Sequence, residues 1–571
     1  MLAKLNKIRP WQAALIIVLI GFAVFFTGLT NQFQGDDSLQ IISNIPVHSI
    51  TNIKLFFEGG TFYNGQALAP LAGIYYRPLM MTVFSLIYTI FGAKVVVFHL
   101  VQLLLWIACA FVLYLFLRYS FKPILALLLA LIFLVHPLNS QAVFSIPYTQ
   151  DVLSMLFGLL ALWLLIRFKS VRSLLLVALC LVLSLFSKES AVVFVILAFI
   201  YLIWFNRQRL YQFIGIMALP LAGYVWLRIN AVGLFQHSVT APIDKFNLAG
   251  RLFTMPSIVL MFLEKFIFPW KLVSSYYWAY PNFSVRHVLF PLLIDLAVLA
   301  AIIYFGFLVH RKLSKATYYT YLFFSIWALL ALLPYLQLVP LDMTASEAWF
   351  CLTMVGWLGI VGIILGLYRI SLKWVLVVGV ILVTAFGIRT AYRGLDWKSS
   401  YTIAAKDYSV SHDNYVADKN IALYYFSQGD YTKSRDYAQQ SVSLFPNVLG
   451  YNTLGMALSA LNDYPASAQA FTAGMKYQDY VSLYENRAAL TATYGTPAAN
   501  IQFLVEAVNN FPKDSQIWFY LAIQEYRDSN ISNAKLAITQ AYKYAPSNQT
   551  VEIIDSRIMN NQPLNISFST K

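Results

Sequence analysis

The chain has 571 residues, of which 59% are hydrophobic and 11% charged, with a formal net charge of +15. Ordinary soluble domains are about 45–50% apolar and about 25% charged. The composition therefore excludes a soluble enzyme and a disordered chain, and it excludes reading the charge as a nucleic-acid-binding surface. Residues 401–571 hold 12 Lys+Arg and 14 Asp+Glu, which leaves 28 bases and 11 acids for residues 1–400. Both the apolar excess and the positive charge thus belong to the first 400 residues.

Each membrane-spanning helix needs about 20 apolar residues, and flanking Lys/Arg mark its cytoplasmic end. Lys4, Lys7 and Arg9 precede an apolar run from Trp11 to Thr27, which reads as a retained signal anchor. Further spans are predicted over 95–117, 123–136, 148–166, 172–187, 190–205, 211–229, 288–309, 318–338, 348–368 and 373–389. With the first span (11–30) that makes about eleven. The stretches 78–91 and 253–268 are predicted to stay on the outer side without a net crossing. Arg118/Lys122, Arg167/Lys169/Arg172, Arg207/Arg209, Arg311/Lys312/Lys315 and Arg369/Lys373 then all fall inside. The result is a multi-pass protein with a cytoplasmic N-terminus and its C-terminal part on the outer (periplasmic, extracellular or lumenal) side. The acids before residue 400 are independent of the basic clusters that set this topology, yet ten map to outer loops or helix ends and Asp295 to the outer half of a span. Cys109, Cys180 and Cys351 fall in apolar runs and imply neither disulfides nor a zinc site.

Charged groups at a membrane boundary are costly enough to be functional candidates. In chain order, Asp36-Asp37 follows the first span; such a carboxylate can act as general base on an acceptor hydroxyl, with its neighbour orienting the acceptor or holding a metal. A helix-terminal acidic turn is the plainer alternative. Glu58 and Tyr76-Arg77-Pro78 lie in the large first outer loop (31–94). His136-Pro137 ends the third span, where the imidazole either meets a phosphate or caps the helix. Gln141 and Asp151 come next. Lys188-Glu189 sits in a turn too short to be a solvated patch, so the two either pair with each other or reach into a cavity, a donor phosphate being one partner for the lysine. Arg77 and Arg228 could clamp a phosphate bidentately or merely snorkel, and Glu347 completes the candidate set. There is no Gly-rich phosphate loop and no clear metal-ligand cluster, so the sequence names no cofactor, although a divalent metal is compatible with the paired carboxylates. The inner loops are too short for a nucleotide-sugar site, which points to a substrate dissolved in or anchored to the membrane.

After Asp396 a period of 33 to 34 residues appears, closed by Pro446, Pro512 and Pro546. Small residues at helix crossings, turns such as Gly429-Asp430 and Asn462-Asp463, and a closing proline are the tetratricopeptide pattern. About four repeats are predicted over 415–548, with helical stretches at 402–412 and 550–560 as caps. Such solenoids bind an extended peptide or partner helix, or serve as spacers.

Taken in order, Gly35-Asp36-Asp37, Tyr76-Arg77-Pro78-Leu79, Phe98-His99-Leu100-Val101, His136-Pro137-Leu138-Asn139-Ser140-Gln141-Ala142-Val143, Leu185-Phe186-Ser187-Lys188-Glu189 and Ser346-Glu347-Ala348-Trp349 resemble the transmembrane and tetratricopeptide-repeat O-mannosyltransferases. These are C-type glycosyltransferases, which take a sugar from a polyprenyl-phosphate carrier. The resemblance implies that Asp36 or Asp37 is the catalytic base and that outer basic residues, Arg77, His136, Lys188 and Arg228, hold the lipid phosphate. Tyr76, Glu58, Gln141, Asp151, Glu189 and Glu347 are further outer-face candidates. Gln141 stands where the family has an acidic residue, Thr149-Gln150 where Gly-Arg is usual, and Ala348 where a basic residue is usual, so mannose does not follow.

The expectation is an all-α chain divided into a transmembrane glycosyltransferase-like domain (1–395), a linker helix (396–414), the repeats (415–548) and a C-terminal cap and tail (549–571). Its expected activity is inverting transfer of a sugar from a polyprenyl-phosphate-linked donor to a protein or glycan hydroxyl at the outer face of the bilayer. The repeats are expected to bind a peptide or protein and present the acceptor. A non-catalytic membrane-anchored scaffold or assembly factor, and a polysaccharide polymerase or ligase, are the alternatives. Nucleic acid is not an expected partner.

Overall fold

A computed structural model describes residues 8–62, 75–233 and 241–564. Residues 63–74 of the expected first outer loop, Lys4 and Lys7, and residues 565–571 of the expected tail lie outside the described residues. The chain forms two compact units, Met1–His412 and Asp413–Lys571. The regular secondary structure of the described residues is helical, with one isolated antiparallel bridge between Tyr276 and Ala345.

The first unit contains α1 (Pro10–Phe25), α2 (Ile53–Glu58), α3 (Pro78–Phe91), α4 (Val95–Leu117), α5 (Pro123–Val135), α6 (Ser140–Phe144), α7 (Thr149–Arg167), α8 (Val171–Ser187), α9 (Val192–Phe205), α10 (Arg207–Val232), α11 (Leu248–Ile267), α12 (Phe290–Lys312), α13 (Lys315–Leu332), α14 (Cys351–Leu367), α15 (Leu372–Asp396) and α16 (Ser400–Val410). Eight of the described helices are long and apolar enough to cross a membrane, and nine if a pair bent by 51° at its break, 123–135 with 137–144, counts as one. The protein is therefore multi-pass, but the eleven predicted spans are not found. Segments 171–187 and 189–205 each reach roughly 25 Å at 1.5 Å per residue, short of the about 30 Å hydrocarbon layer.

The bend shows how the unit satisfies its backbone. Pro137 lacks an N–H and disfavours a helical conformation in the residue before it, so α5 stops at His136, which is extended (φ −62°, ψ 127°). The carbonyls left unpaired are then taken one by one. Asn139 Nδ2 donates to Phe133 O at 2.8 Å, Trp106 Nε1 to Leu134 O at 3.0 Å, and Thr390 Oγ1 to Val135 O at 2.7 Å. Irregular backbone at membrane depth needs such partners, because hydrocarbon offers none.

Helix crossings depend on small residues, which let backbones approach. A Cβ on Gly158 would meet the Phe194 ring at 2.1 Å, where α7 crosses α9. At Gly356, where α14 crosses α13, it would meet the backbone nitrogen of Ala328 at 2.5 Å.

The second unit is a run of helix pairs of the tetratricopeptide kind: α17 (Tyr415–Ser427), α18 (Tyr431–Leu444), α19 (Val448–Ala460), α20 (Tyr464–Met475), α21 (Val481–Leu490), α22 (Pro497–Asn510), α23 (Ser515–Arg527) and α24 (Ile531–Tyr544), followed by α25 (Gln549–Met559). Within each pair the turn is made by a residue with positive φ: Gly429 (79°), Asn462 (64°), Gly495 (94°) and Ser529 (66°). These lie 33, 33 and 34 residues apart, the period read from the sequence. In the first three the next residue, Asp430, Asp463 or Thr496, caps the following helix by accepting a backbone N–H. The helix expected over 402–412 is α16, which belongs to the first unit.

Because a backbone atom cannot yield as a flexible side chain can, Gly356→Ala is expected to destabilise the protein by about 1–3 kcal/mol. The readout is the melting temperature of the detergent-purified protein, with Gly366→Ala, where no atom lies within 4 Å, as control. Equal melting temperatures for the two variants would contradict the close α13–α14 crossing.

Candidate functional site

The ends of several helices of the first unit surround a cleft of about 570 Å³, within the usual range for small-molecule sites. Its polar lining comes from segments distant in sequence. Asp36 lies in the turn after α1, Tyr75 and Arg77 lead into α3, Tyr148 and Gln150 stand at the start of α7, Lys188 and Glu189 lie between α8 and α9, and Arg228 is near the end of α10. The segment from Leu333 to Met343, between α13 and α14, adds an apolar wall and Asp342.

The two adjacent aspartates face different surroundings. Gly35 takes a left-handed conformation (φ 57°), and the turn closes when an Asp37 carboxylate oxygen accepts the N–H of Gln34 at 2.8 Å. The turn is anchored to the end of α15, with Gln34 Nε2 donating to Trp397 O at 2.8 Å and Gln32 N to Lys398 O at 3.1 Å. Asp37 is 1% exposed, and burial pushes its carboxyl up to about 8 against the opposing effect of the Gln34 N–H. Asp36 is exposed and lines the cleft.

The cations are held individually. Lys188 Nζ lies 2.5 Å from Asp151 Oδ1, both largely buried, and 5.4 Å from the centre of the Tyr335 ring. Arg77 Nε lies 3.5 Å from Glu189 Oε2, with its guanidinium over the Tyr75 ring at 3.9 Å. The other Glu189 oxygen accepts the Tyr76 N–H at 2.8 Å, so one carboxylate orients both Arg77 and the entry to α3. Lys188 and Glu189 therefore do not pair with each other, since successive residues at this turn point apart. Arg228 Nη1 donates to Gly233 O at 3.1 Å and, among the described residues, has no carboxylate at ion-pair distance. Asp342 accepts a hydrogen bond from the Tyr75 hydroxyl, and burial raises its carboxyl above the ordinary value.

Other sequence-predicted residues lie outside the cleft lining. His136 is fully buried; its Nε2 meets Phe266 O at 3.0 Å and its Nδ1 accepts the Leu138 N–H at 3.2 Å, so both ring nitrogens serve the bend. Gln141 links three segments, donating to the Tyr148 hydroxyl and Ser274 O and accepting from Ser346 Oγ and the Ala348 N–H. Glu347 is 0% exposed; Oε1 accepts the Val273 N–H at 2.5 Å and the Tyr276 hydroxyl at 3.1 Å, and Oε2 lies 3.7 Å from Arg393. Tyr76 is buried, its hydroxyl on Phe57 O at 3.2 Å, and Glu58 forms an exposed pair with Lys54 at 3.3 Å. Asp151 reaches the cleft only through Lys188.

The cleft also contains Tyr75, Tyr148, Gln150, Tyr335 and Asp342, to which the sequence alone assigns no role. Asp342 was detectable as an acid at a predicted helix end; the tyrosines carry no comparable signal. Among the described residues no group of three or more His, Cys, Asp or Glu could hold a metal ion. Chemically, the cleft offers a water-facing carboxylate, cations for an anionic group and an apolar wall, a combination suited to an amphiphile with a charged head.

Residues 77–226 match the sequence profile of the family described as dolichyl-phosphate-mannose-protein mannosyltransferase. The chain is thus similar to these lipid-linked-sugar glycosyltransferases over a stretch that begins at Arg77 and includes Lys188 and Glu189. No curated protein matches the chain. Among solved structures it is similar to YrrB, "a TPR protein with an unusual peptide-binding site", at 11% identity over 27% of this chain and 81% of that one, with a TM-score of 0.25. It is also similar to the APC/C hetero-tetramer Cut9–Hcn1, at 14% identity over 84% of this chain and 90% of that one, with a TM-score of 0.27.

The Asp37 environment predicts a pH effect. A carboxyl whose folded value is raised to about 8 from 3.8 keeps its proton in the folded state and loses it on unfolding. Its contribution to stability is full below about pH 4 and is lost as pH rises to about 8. Asp37→Asn is expected to gain in melting temperature relative to the parent between pH 5 and 8, whereas parallel curves would contradict the burial.

Proposed function

We propose that the chain is a membrane glycosyltransferase that moves a sugar from a polyprenyl-phosphate-linked donor to a hydroxyl of a protein or glycan acceptor. The observation that carries this reading is one cleft joining the exposed Asp36, the cations Arg77, Lys188 and Arg228, and an apolar wall, with Arg77 and Lys188 inside the stretch that matches the mannosyltransferase profile. Asp36 takes the proton of the acceptor hydroxyl as that oxygen attacks the anomeric carbon. The bond from this carbon to the phosphate oxygen breaks, and the phosphate leaves with the electron pair. A single displacement of this kind inverts the anomeric centre. Lys188 is already neutralised by Asp151 and Arg77 is shared with Glu189, so Arg228 is the cation best placed to give its charge to the departing phosphate. Asp37 shapes the turn that presents Asp36.

The cleft opens on the outer side in this reading, which the one-sided basic clusters support. An odd number of crossings, nine or eleven, puts the segment after Asp396 on that side too. The repeat unit would supply the peptide-binding surface that brings an acceptor.

Asp36→Asn is expected to lower transfer by about 10²–10⁴-fold, while Asp37→Asn retains activity of the parent's order. The assay uses the full chain in proteoliposomes with a polyprenyl-phosphate-linked sugar; parental activity in Asp36→Asn would overturn the assignment. Arg228→Gln is expected to raise the KM for the donor by roughly ten- to a hundredfold, as for loss of a charged hydrogen bond. An unchanged donor KM would remove Arg228 from the phosphate site.

A further inference from the structure

A second opening in the first unit, a groove of about 700 Å³, lies apart from the cleft and shares no lining residue with it. It is bounded by the last turns of α15 (Ala385, Ile388, Arg389, Tyr392), by Trp270 and Lys271 after α11, and by one face of α16 that includes Lys406. Its charge is one-sided. The lining includes Lys271, Arg389 and Lys406 and no acid.

The carboxylates nearby are committed elsewhere. Asp396 pairs with Arg393 at 3.0 Å, Glu347 faces Arg393, and Asp407, 3% exposed, accepts both the N–H (3.0 Å) and the hydroxyl of Ser274. Among the described residues neither Lys271 nor Lys406 has a carboxylate at ion-pair distance.

The groove is rigidly built. The Asp407 contacts bind α16 to the loop that carries Lys271, and Gln141 holds that same loop through Ser274 O at 2.7 Å. Arg389 Nη2 donates to Trp270 O at 2.9 Å, which ties the loop to α15 and fixes the guanidinium at the groove. The three cations are thus presented by three segments held in register.

The surroundings indicate what the groove receives. Residues 372–388 of α15 are an apolar run apart from Lys373 near its start and Thr384, and charged residues resume at Arg389, so the cations stand where the helix leaves its apolar stretch. Phe268, Trp270 and Tyr392 are 71%, 76% and 64% exposed, and aromatic side chains exposed at the end of a span sit at headgroup level. Ala385 and Ile388, the latter 68% exposed, continue the groove towards the hydrocarbon side. A ligand that fits has a phosphate at one end and an acyl chain at the other. A free phosphate would leave the apolar end of the groove empty.

We infer that this groove is a binding site for the phosphate headgroup of an anionic membrane lipid, with Lys271, Arg389 and Lys406 on the phosphate and a chain along Ala385 and Ile388. The inference is independent of sugar transfer in the cleft. Such a site would hold α16 and the loop after α11 against the bilayer surface.

The test is native mass spectrometry of the full-length, detergent-purified protein with phosphatidylglycerol or phosphatidylcholine of matched chains, with millimolar inorganic phosphate as competitor. Phosphatidylglycerol is expected to be retained preferentially. The double variant Lys271→Gln/Lys406→Gln, which leaves the Arg389–Trp270 contact in place, should lower that retention about twenty-five-fold, each basic group near an anionic surface being worth roughly a factor of five. Lys406→Gln alone should lower it about fivefold, and it decides the matter if the double variant melts below the parent. Equal retention of the two lipids, or unchanged retention in the variants, would overturn the site. Displacement of the lipid by inorganic phosphate would overturn the lipid assignment.

Discussion

A charge at the edge of a low-dielectric layer must find a partner or a ligand, and the first unit is organised around that requirement. Lys188 is held by Asp151, Arg77 by Glu189, and Arg393 by Asp396 and Glu347. These pairs join the α8–α9 turn to α7, the start of α3 to the same turn, and the end of α15 to the segment before α14. Buried pairs of this kind contribute little net stability, but removing one partner leaves an uncompensated charge at a cost of about 3–5 kcal/mol. Their effect is positional. The first two set walls of the cleft, Lys188–Asp151 across 37 residues and Arg77–Glu189 across 112.

Against that background Asp36 and Arg228 stand out. Asp36 is exposed at the cleft beside a buried, proton-retaining Asp37. Arg228 lies on the opposite arm of the sequence without a carboxylate partner among the described residues. The chemistry proposed for the cleft depends on the exposure of Asp36 and on the division between cations paired to build the site and Arg228, which has no carboxylate at ion-pair distance among the described residues. The same division marks the second groove, where the acids turn inward onto Arg393 and Ser274 and the lysines remain at the surface.

Much of this was legible in the sequence, and for physical reasons. Long apolar runs announce spans, and the 33- to 34-residue period reappears in the positive-φ turns at Gly429, Asn462, Gly495 and Ser529. Charges at helix ends pointed to Arg77, Lys188, Glu189 and Arg228 because such placements are costly unless used. Pairing was not legible, because it depends on which helix ends meet. Lys188 and Glu189 are adjacent but find different partners, and His136 and Glu347, equally prominent as boundary residues, satisfy the backbone around Phe266, Leu138 and Val273 instead. The apolar wall from Leu333 to Met343 was hidden for a similar reason. Its first half falls within the predicted span 318–338, and only its position makes it part of the cleft.

Whether the cleft receives the phosphate of a lipid-linked sugar is decided by a cryo-electron microscopy structure of the full chain with a non-hydrolysable polyprenyl-phosphate-sugar analogue. Phosphate density is expected against Arg228 and Arg77, with the lipid along the Leu333–Met343 wall and the anomeric carbon facing Asp36. A saturated complex with the analogue bound elsewhere and the cleft empty would contradict this placement.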